Sequence, residues 1–205
     1  INFNSPYRAT DIRDFWQRWH ITLSRFLSHY VYIPLGGSRY GTFRACLNIM
    51  ITFFISGLWH GAGWTYVLFG IMHGAALVIH RLWTGLGVPM HRWLGRALTL
   101  LFFITALVLF RSRDVSQALD IWGSMVNFSN LHLSAIRNIV NPGFNVNTSV
   151  FILVALLVVC LTCKNVAKQS VTFRPTRLRL IETVFLLIVS ILCMARISPF
   201  IYFNF

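Results

Sequence analysis

Seven histidines, at positions 20, 29, 60, 73, 80, 91 and 132, are the side chains of this sequence best able to move a proton near neutral pH. No two stand three or four residues apart, the spacing that lets one helix face grip a metal ion, and Glu182 is the one acid inside an apolar run. The pattern predicts acid–base chemistry with no metal. His60 is the foremost candidate, in Gly57-Leu58-Trp59-His60-Gly61-Ala62-Gly63-Trp64, a glycine-flanked break in apolar sequence. Such glycines let a substrate or another backbone come close, and irregular backbone at membrane depth survives where it lines a cavity. An imidazole there can serve as general base or acid. The plainer alternative is a structural histidine bonded to a carbonyl at a helix end. His20, in Phe15-Trp16-Gln17-Arg18-Trp19-His20, is the second candidate, with packing as its plainer alternative. His73, in Met72-His73-Gly74, is the third; it joins Trp19, Trp59 and Trp64 as a candidate for substrate contact. His29, His80, His91 and His132 read as interfacial or loop residues.

The elements that must position these side chains come from a chain of unusual composition. Of 205 residues, 56% are hydrophobic and 11% charged, with a mean hydropathy of +0.65. A soluble domain carries about 25% charged residues. Membrane burial accounts for the deficit, since a charge at the centre of a span costs roughly 2.5–3.5 kcal/mol or more. The 18 Lys and Arg outnumber the 5 Asp and Glu, for a net charge of +13. These basic residues sit in blocks between apolar runs, as membrane topology requires, which argues against nucleic-acid binding. The four cysteines lie in or beside apolar runs and make no disulfide framework; Cys160 and Cys163, within Leu and Val, read as packing. The chain opens on Ile1 with polar sequence and no targeting pattern, and reads as a piece of a longer protein.

Apolar runs cover 46–59, 64–79, 94–110, 150–163 and 180–197. The last reaches about 27 Å as a helix, close to the bilayer core of about 30 Å. The first two are either one broken helix or a hairpin of two short helices. Charge favours the hairpin: it puts the basic residues of 1–45, 80–93 and 164–179 on one, cytoplasmic, side and Arg111, Arg113 and Arg137 opposite. Such short helices reach only about 21–24 Å, which would sink the His60 turn below the external surface. From Thr10 as N-cap, one amphipathic helix is predicted up to Pro34-Leu35-Gly36-Gly37, with Phe15, Trp19, Phe26 and Tyr30 on one stripe; its ring of Arg and Trp suits the membrane interface. A basic loop, 38–45, follows. Asp114 should cap a second amphipathic helix over 115–128, with Val115, Leu119, Trp122 and Val126 on one face. The predicted fold is all-α, a polytopic helical membrane protein with interfacial amphipathic helices. Residues 1–45 form the interfacial part, 46–113 the helices of the site, 114–149 an external segment and 150–205 the C-terminal spans. The basic clusters, Lys164 to Arg179 above all, read as partners of anionic membrane lipids.

Two strings carry a resemblance. Phe15-Trp16-Gln17-Arg18-Trp19-His20-Ile21-Thr22-Leu23-Ser24, followed by Tyr32-Ile33-Pro34-Leu35-Gly36-Gly37, and Gly57-Leu58-Trp59-His60-Gly61-Ala62 through Gly70-Ile71-Met72-His73-Gly74, resemble the membrane-bound O-acyltransferase (MBOAT) family. The interval from His20 to His60 and the ending Pro199-Phe200-Ile201-Tyr202-Phe203 look like its bacterial branch of alginate O-acetylation proteins, with the D-alanine transferases of teichoic acid further off. The motif similarity covers residues 1–113; 114–196 match in hydropathy only. The resemblance implies the C-terminal portion of one MBOAT domain, with His60 as catalytic histidine and His20 as the second histidine of the site. It implies an enzyme of a bacterial inner membrane that moves an acyl group, acetyl above all, to a hydroxyl of an extracytoplasmic polysaccharide or to a periplasmic acetyltransferase partner. An acyl thioester, acetyl-CoA or an acyl carrier, would be the co-substrate, with no bound cofactor. The rival reading, a transporter or channel subunit with His60 as proton relay, draws on the broken helix and the intramembrane histidine; the lack of repeat symmetry and of intramembrane carboxylates counts against it.

Overall fold

The structure, a computed structural model, describes residues 1–127, 146–163 and 165–193. Among them are helices and turns and no strand. The chain divides into two compact units, Ile1–Cys163 and Lys164–Phe205. The first holds a 3-10 turn (Pro6–Arg8), α1 (Ile12–Arg18), α2 (Ile21–Leu27), a widened turn (Ser28–Tyr32), α3 (Gly41–His60), α4 (Trp64–Gly85), α5 (Arg92–Arg111), α6 (Val115–Val126) and α7 (Val146–Thr162). The second holds α8 (Val166–Val171) and α9 (Arg177–Cys193).

α3 and α4 are an antiparallel hairpin, and glycines set how closely they lie. A Cβ on Gly57 would come within 2.5 Å of the Tyr66 carbonyl oxygen, and one on Gly70 would run into that of Phe53. One on Gly74 would meet Met50 Sδ and Phe53 Cβ at 3.1 Å. Contacts thus climb α4 as they descend α3, which excludes a single broken helix. Small residues at a helix seam let backbones approach where no hydrophobic drive between helices exists in lipid.

With 20, 22 and 20 residues, α3, α4 and α5 are long and apolar enough to cross a membrane. At about 30–33 Å each they match the bilayer core of about 30 Å. This corrects the expected helix lengths. The apolar runs are shorter than the helices because Gly41–Ala45 and His80–Gly85 continue them with polar and basic residues. Residues 41–45 are therefore helix rather than loop, and short helices are not what sets the depth of His60. The inward side of α5 has Gly95, Thr99, Phe103, Ala106 and Leu109, while the larger Leu94, Leu98, Leu101 and Ile104 face outward, 48–61% exposed. An outward face of large apolar side chains, with small residues among those turned inward, suits lipid contact.

The first helix also differs from expectation. Asp11, not Thr10, caps α1, accepting from the Asp14 amide at 2.8 Å. The helix then stops at Arg18, Trp19 is extended, and His20 turns left-handed before α2 starts. The N-terminal segment laces this break. The Asn4 amide donates to the Arg18 carbonyl (2.8 Å), and the Ile21 amide to the Asn2 carbonyl (2.9 Å). Asn2 Oδ1 accepts from the amide and hydroxyl of Thr22 at 3.2 and 2.9 Å. Backbone groups that a helix end would leave unmet are so satisfied. The break also ends the predicted stripe: Phe15 is fully buried, whereas Phe26 and Tyr30 are 54% and 70% exposed. Leu23 and Leu27 take up the buried face of α2.

Asp114 caps α6 as expected, accepting from the Gln117 amide (2.8 Å), while Gln117 Oε1 accepts from the Arg113 amide (2.9 Å). Its inward residue is the fully buried Ala118; Leu119 and Val126 are exposed. Trp122 fixes the helix by donating from Nε1 to the Thr105 carbonyl at 3.0 Å. In the second unit, Asn165 caps α8, accepting from the Lys168 amide. In α9 the Arg179 guanidinium pairs with Glu182 at 2.5 Å, so the acid in that apolar run has a partner one turn away. The ending Pro199–Phe203, the turn at Asn141-Pro142-Gly143 and His132 lie outside the described residues.

Candidate active site

His60 is the last residue of α3 and His20 the hinge between α1 and α2. Forty residues apart in sequence, they meet across one indole. The His20 and Trp59 rings lie 6.0 Å apart edge-on, and Trp59 lies 4.9 Å from His60. His60 is half-buried, with Phe110 of α5 at 5.2 Å and Phe69 of α4 at 6.0 Å, both edge-on. Three spans thus supply its surroundings, an aromatic cup of Trp59, Phe69 and Phe110.

His20 has φ 43° and ψ 53°, a left-handed conformation that costs a non-glycine residue roughly 1–2 kcal/mol. Its ring rests between Trp59 and Phe3, the latter at 6.1 Å, and its Nδ1 is buried with no hydrogen-bond partner. Strain and an unmet buried polar atom thus fall on one residue beside His60.

His73 sits one face-repeat along α4 from Phe69, whose ring it touches at 4.5 Å. It is 0% exposed, and Trp16 Nε1 donates to its Nδ1 at 3.3 Å. Phe102, at 5.0 Å, and Phe53, at 6.4 Å, help close the shell. Phe69 touches both His60 and His73 and joins them in one aromatic cluster. The three tryptophans expected beside substrate divide. Trp59 is 59% exposed and bridges the two histidines. Trp64 is 74% exposed and makes none of those ring contacts. Trp19 is wedged between Phe15, Phe103 and Phe3 and works as packing.

A cavity of about 460 Å³ opens beside this cluster. Arg13, Gln17, Thr52, His80, Arg81 and Thr84 line it, with Trp16 and Phe53 also in its wall. Those two aromatics touch His73 as well, whereas His20 and His60 do not line the cavity. The Arg81 Nε is buried with no hydrogen-bond partner. Phe69 could have been found from its spacing to His73 on a helix. Trp16, Phe110 and the Arg13–Arg81 cavity bring together residues too far apart in sequence for any spacing rule.

Helices able to span a membrane, joined around two histidines and an aromatic cup, define an integral membrane chain. Residues 1–112 match the sequence model of MBOAT, the membrane-bound O-acyltransferase family; the chain belongs to that family. It is 35% identical, over its whole length, to the peptidoglycan O-acetyltransferase of Helicobacter pylori, of which it covers 42%. Over 73% of its length it is 39% identical to a Pseudomonas putida protein named "Probable alginate O-acetylase AlgI", of which it covers 31%. It is 33% identical, over 40% of its length, to the teichoic acid D-alanyltransferase of Streptococcus thermophilus. The chain therefore spans less than half the length of the curated relatives it matches.

Proposed function

We propose that this chain carries the histidine centre of a membrane O-acyltransferase that moves an acetyl group from a thioester onto a hydroxyl of an extracytoplasmic polysaccharide, directly or through a periplasmic acetyltransferase partner. The observation that carries this reading is the meeting of His20 and His60 across Trp59 at a helix break. A sugar hydroxyl is a weak nucleophile near neutral pH, and a positioned imidazole is the usual remedy. His60 takes the hydroxyl proton as the oxygen forms its bond to the thioester carbonyl carbon. The tetrahedral intermediate then expels the thiolate by breaking the C–S bond, and the thiolate takes the proton back from His60. No bound cofactor is needed, because the donor brings the activated acyl group. His20 supports His60 or the donor through its free Nδ1. The names of the relatives, a peptidoglycan O-acetyltransferase and an alginate O-acetylase, support acetyl as the group moved.

The donor enters on the basic side of the hairpin, in a bacterial inner membrane the cytoplasmic one. The cavity under Arg13 and Arg81 suits a thiol carrier that bears phosphate. Arg81→Gln in the full-length protein is expected to raise the KM for acetyl-CoA by about 10-fold or more, as loss of a charged hydrogen bond does, with kcat nearly unchanged. An unchanged KM would remove the donor from this cavity.

The test of the reading as a whole uses full-length protein in proteoliposomes, with acetyl-CoA as donor and alginate oligomers or peptidoglycan fragments as acceptors. His20→Ala is expected to lower transfer by roughly 100-fold, the lower end for loss of an acid–base partner. His20→Asn should be milder, since asparagine tolerates the left-handed backbone and keeps a polar side chain. Parallel loss of folded protein in both variants would assign His20 to structure instead.

A further inference from the structure

Nothing in the covalent chain between residues 20 and 60 sets His20 opposite His60 to the tolerance that catalysis needs. His20 hangs on the end of α1, so its place depends on how α1 lies against the α3–α4 hairpin. Two polar contacts tie α1 to α4 among the described residues. At the rim, Asp11 Oδ1 of the α1 cap lies 3.4 Å from His80 Nε2. In the interior, Trp16 Nε1 donates to His73 Nδ1 at 3.3 Å. His73 and His80 are seven residues apart, two turns along one face of α4. α1 is thus laid along α4, with a hydrogen bond in the interior and a polar approach at the rim.

The inner contact is the discriminating one. Trp16 is 8% exposed and His73 0%. An indole N–H enclosed there and left unbonded would be penalised, so one register of α1 on α4 satisfies it and its neighbours do not. Because Nδ1 accepts, the proton of the neutral His73 imidazole is placed on Nε2, which is buried with no hydrogen-bond partner, so the Trp16 bond is the polar contact that orients the ring. The Trp16 ring also packs edge-on against Phe53 of α3 at 4.9 Å, which extends the registration to both arms of the hairpin. We propose that Trp16 and His73 are a positioning pair, whose hydrogen bond docks α1 in the register that presents His20 to Trp59 and His60. This inference rests on the catalytic reading of His20 and His60 above. It replaces the expectation that His73 touches substrate: the ring is enclosed by Trp16, Phe53, Phe69 and Phe102 and reaches no described cavity.

The experiment uses the full-length protein and the acetyl-CoA assay. Trp16→Phe keeps an aromatic ring and deletes the donor. It is expected to lower kcat by about 10- to 100-fold, the scale of a misplaced catalytic group; because Trp16 also walls the donor cavity, the KM for acetyl-CoA is read in the His73 variants, where it should stay unchanged. In a His20→Ala background the same substitution should cost little further, because Trp16 acts through His20. Nitrogen-15 NMR of His73 should report one tautomer in the parent and a mixture in Trp16→Phe. His73→Gln, whose amide oxygen can still accept from Trp16, should keep most activity, while His73→Leu should lose it; this pair decides the matter should Trp16→Phe not fold. Full activity in Trp16→Phe, an undiminished cost in the His20→Ala background, or His73→Gln as inactive as His73→Leu would each overturn the inference. If His20→Ala and His60→Ala are themselves fully active, the catalytic reading falls and the positioning pair falls with it.

Discussion

His60→Ala in the full-length protein is expected to lower acetyl transfer by about 10²- to 10⁴-fold, the range for loss of a general base, and this should be the largest effect of any single substitution in the site. The protein should still insert and fold. His60 ends α3 and is half-buried, so truncation removes ring contacts to Phe69 and Phe110 but leaves no enclosed polar group unmet. Thermal melting followed by tryptophan fluorescence separates the two effects, because a folding defect moves the melt along with activity. His60→Gln should be nearly as inactive, since an amide cannot take up a proton. Transfer within a few-fold of the parent in either variant would dismiss His60 as the base and favour the structural alternative.

What the sequence made legible was set by how local the cause is. The spans α3, α4 and α5 announce themselves through composition, and the cap at Asp114 follows from residue type and spacing. The hairpin was readable from charge, and its reason, close contact at Gly57 and Gly70, lies in residues the sequence displays. The break at His20 was not readable. Residues 12–27 keep a helical pattern, and what stabilises the interruption is Asn2 and Asn4, bonded to groups some fourteen to twenty residues away. The same holds for the site. His20 and His60 stand out by their setting in sequence, but the aromatic cup around His60 draws on α3, α4 and α5 together. The pairing of Trp16 with His73 joins residues 57 apart. Local signals choose helices; only packing decides which side chains those helices bring face to face.

That packing is most vulnerable at Gly70, where the second large effect is expected. A methyl group there would point at the Phe53 carbonyl oxygen and lie 2.9–3.0 Å from the Gly57 backbone. Both obstacles are backbone, so neither can swing aside as a flexible side chain would. Gly70→Ala should therefore force α3 and α4 apart and destabilise the protein by about 1–3 kcal/mol or more, the scale of overpacking a filled interior. Helix propensity pulls the other way by about 1 kcal/mol, since alanine favours helix over glycine, and it is the smaller term. A control isolates the cause. Gly123, inside α6, has nothing within 4 Å of an added Cβ, so Gly123→Ala should be neutral or slightly stabilising. Because α3 carries His60 and α4 carries Phe69 and His73, separation of the pair should also dismantle the cup, and activity should fall with the melting temperature. Side-by-side melts of Gly70→Ala and Gly123→Ala in one detergent check this. If the two variants melt alike, backbone contact at Gly70 does not hold the hairpin, and the register of His60 against α4 must be fixed by other contacts.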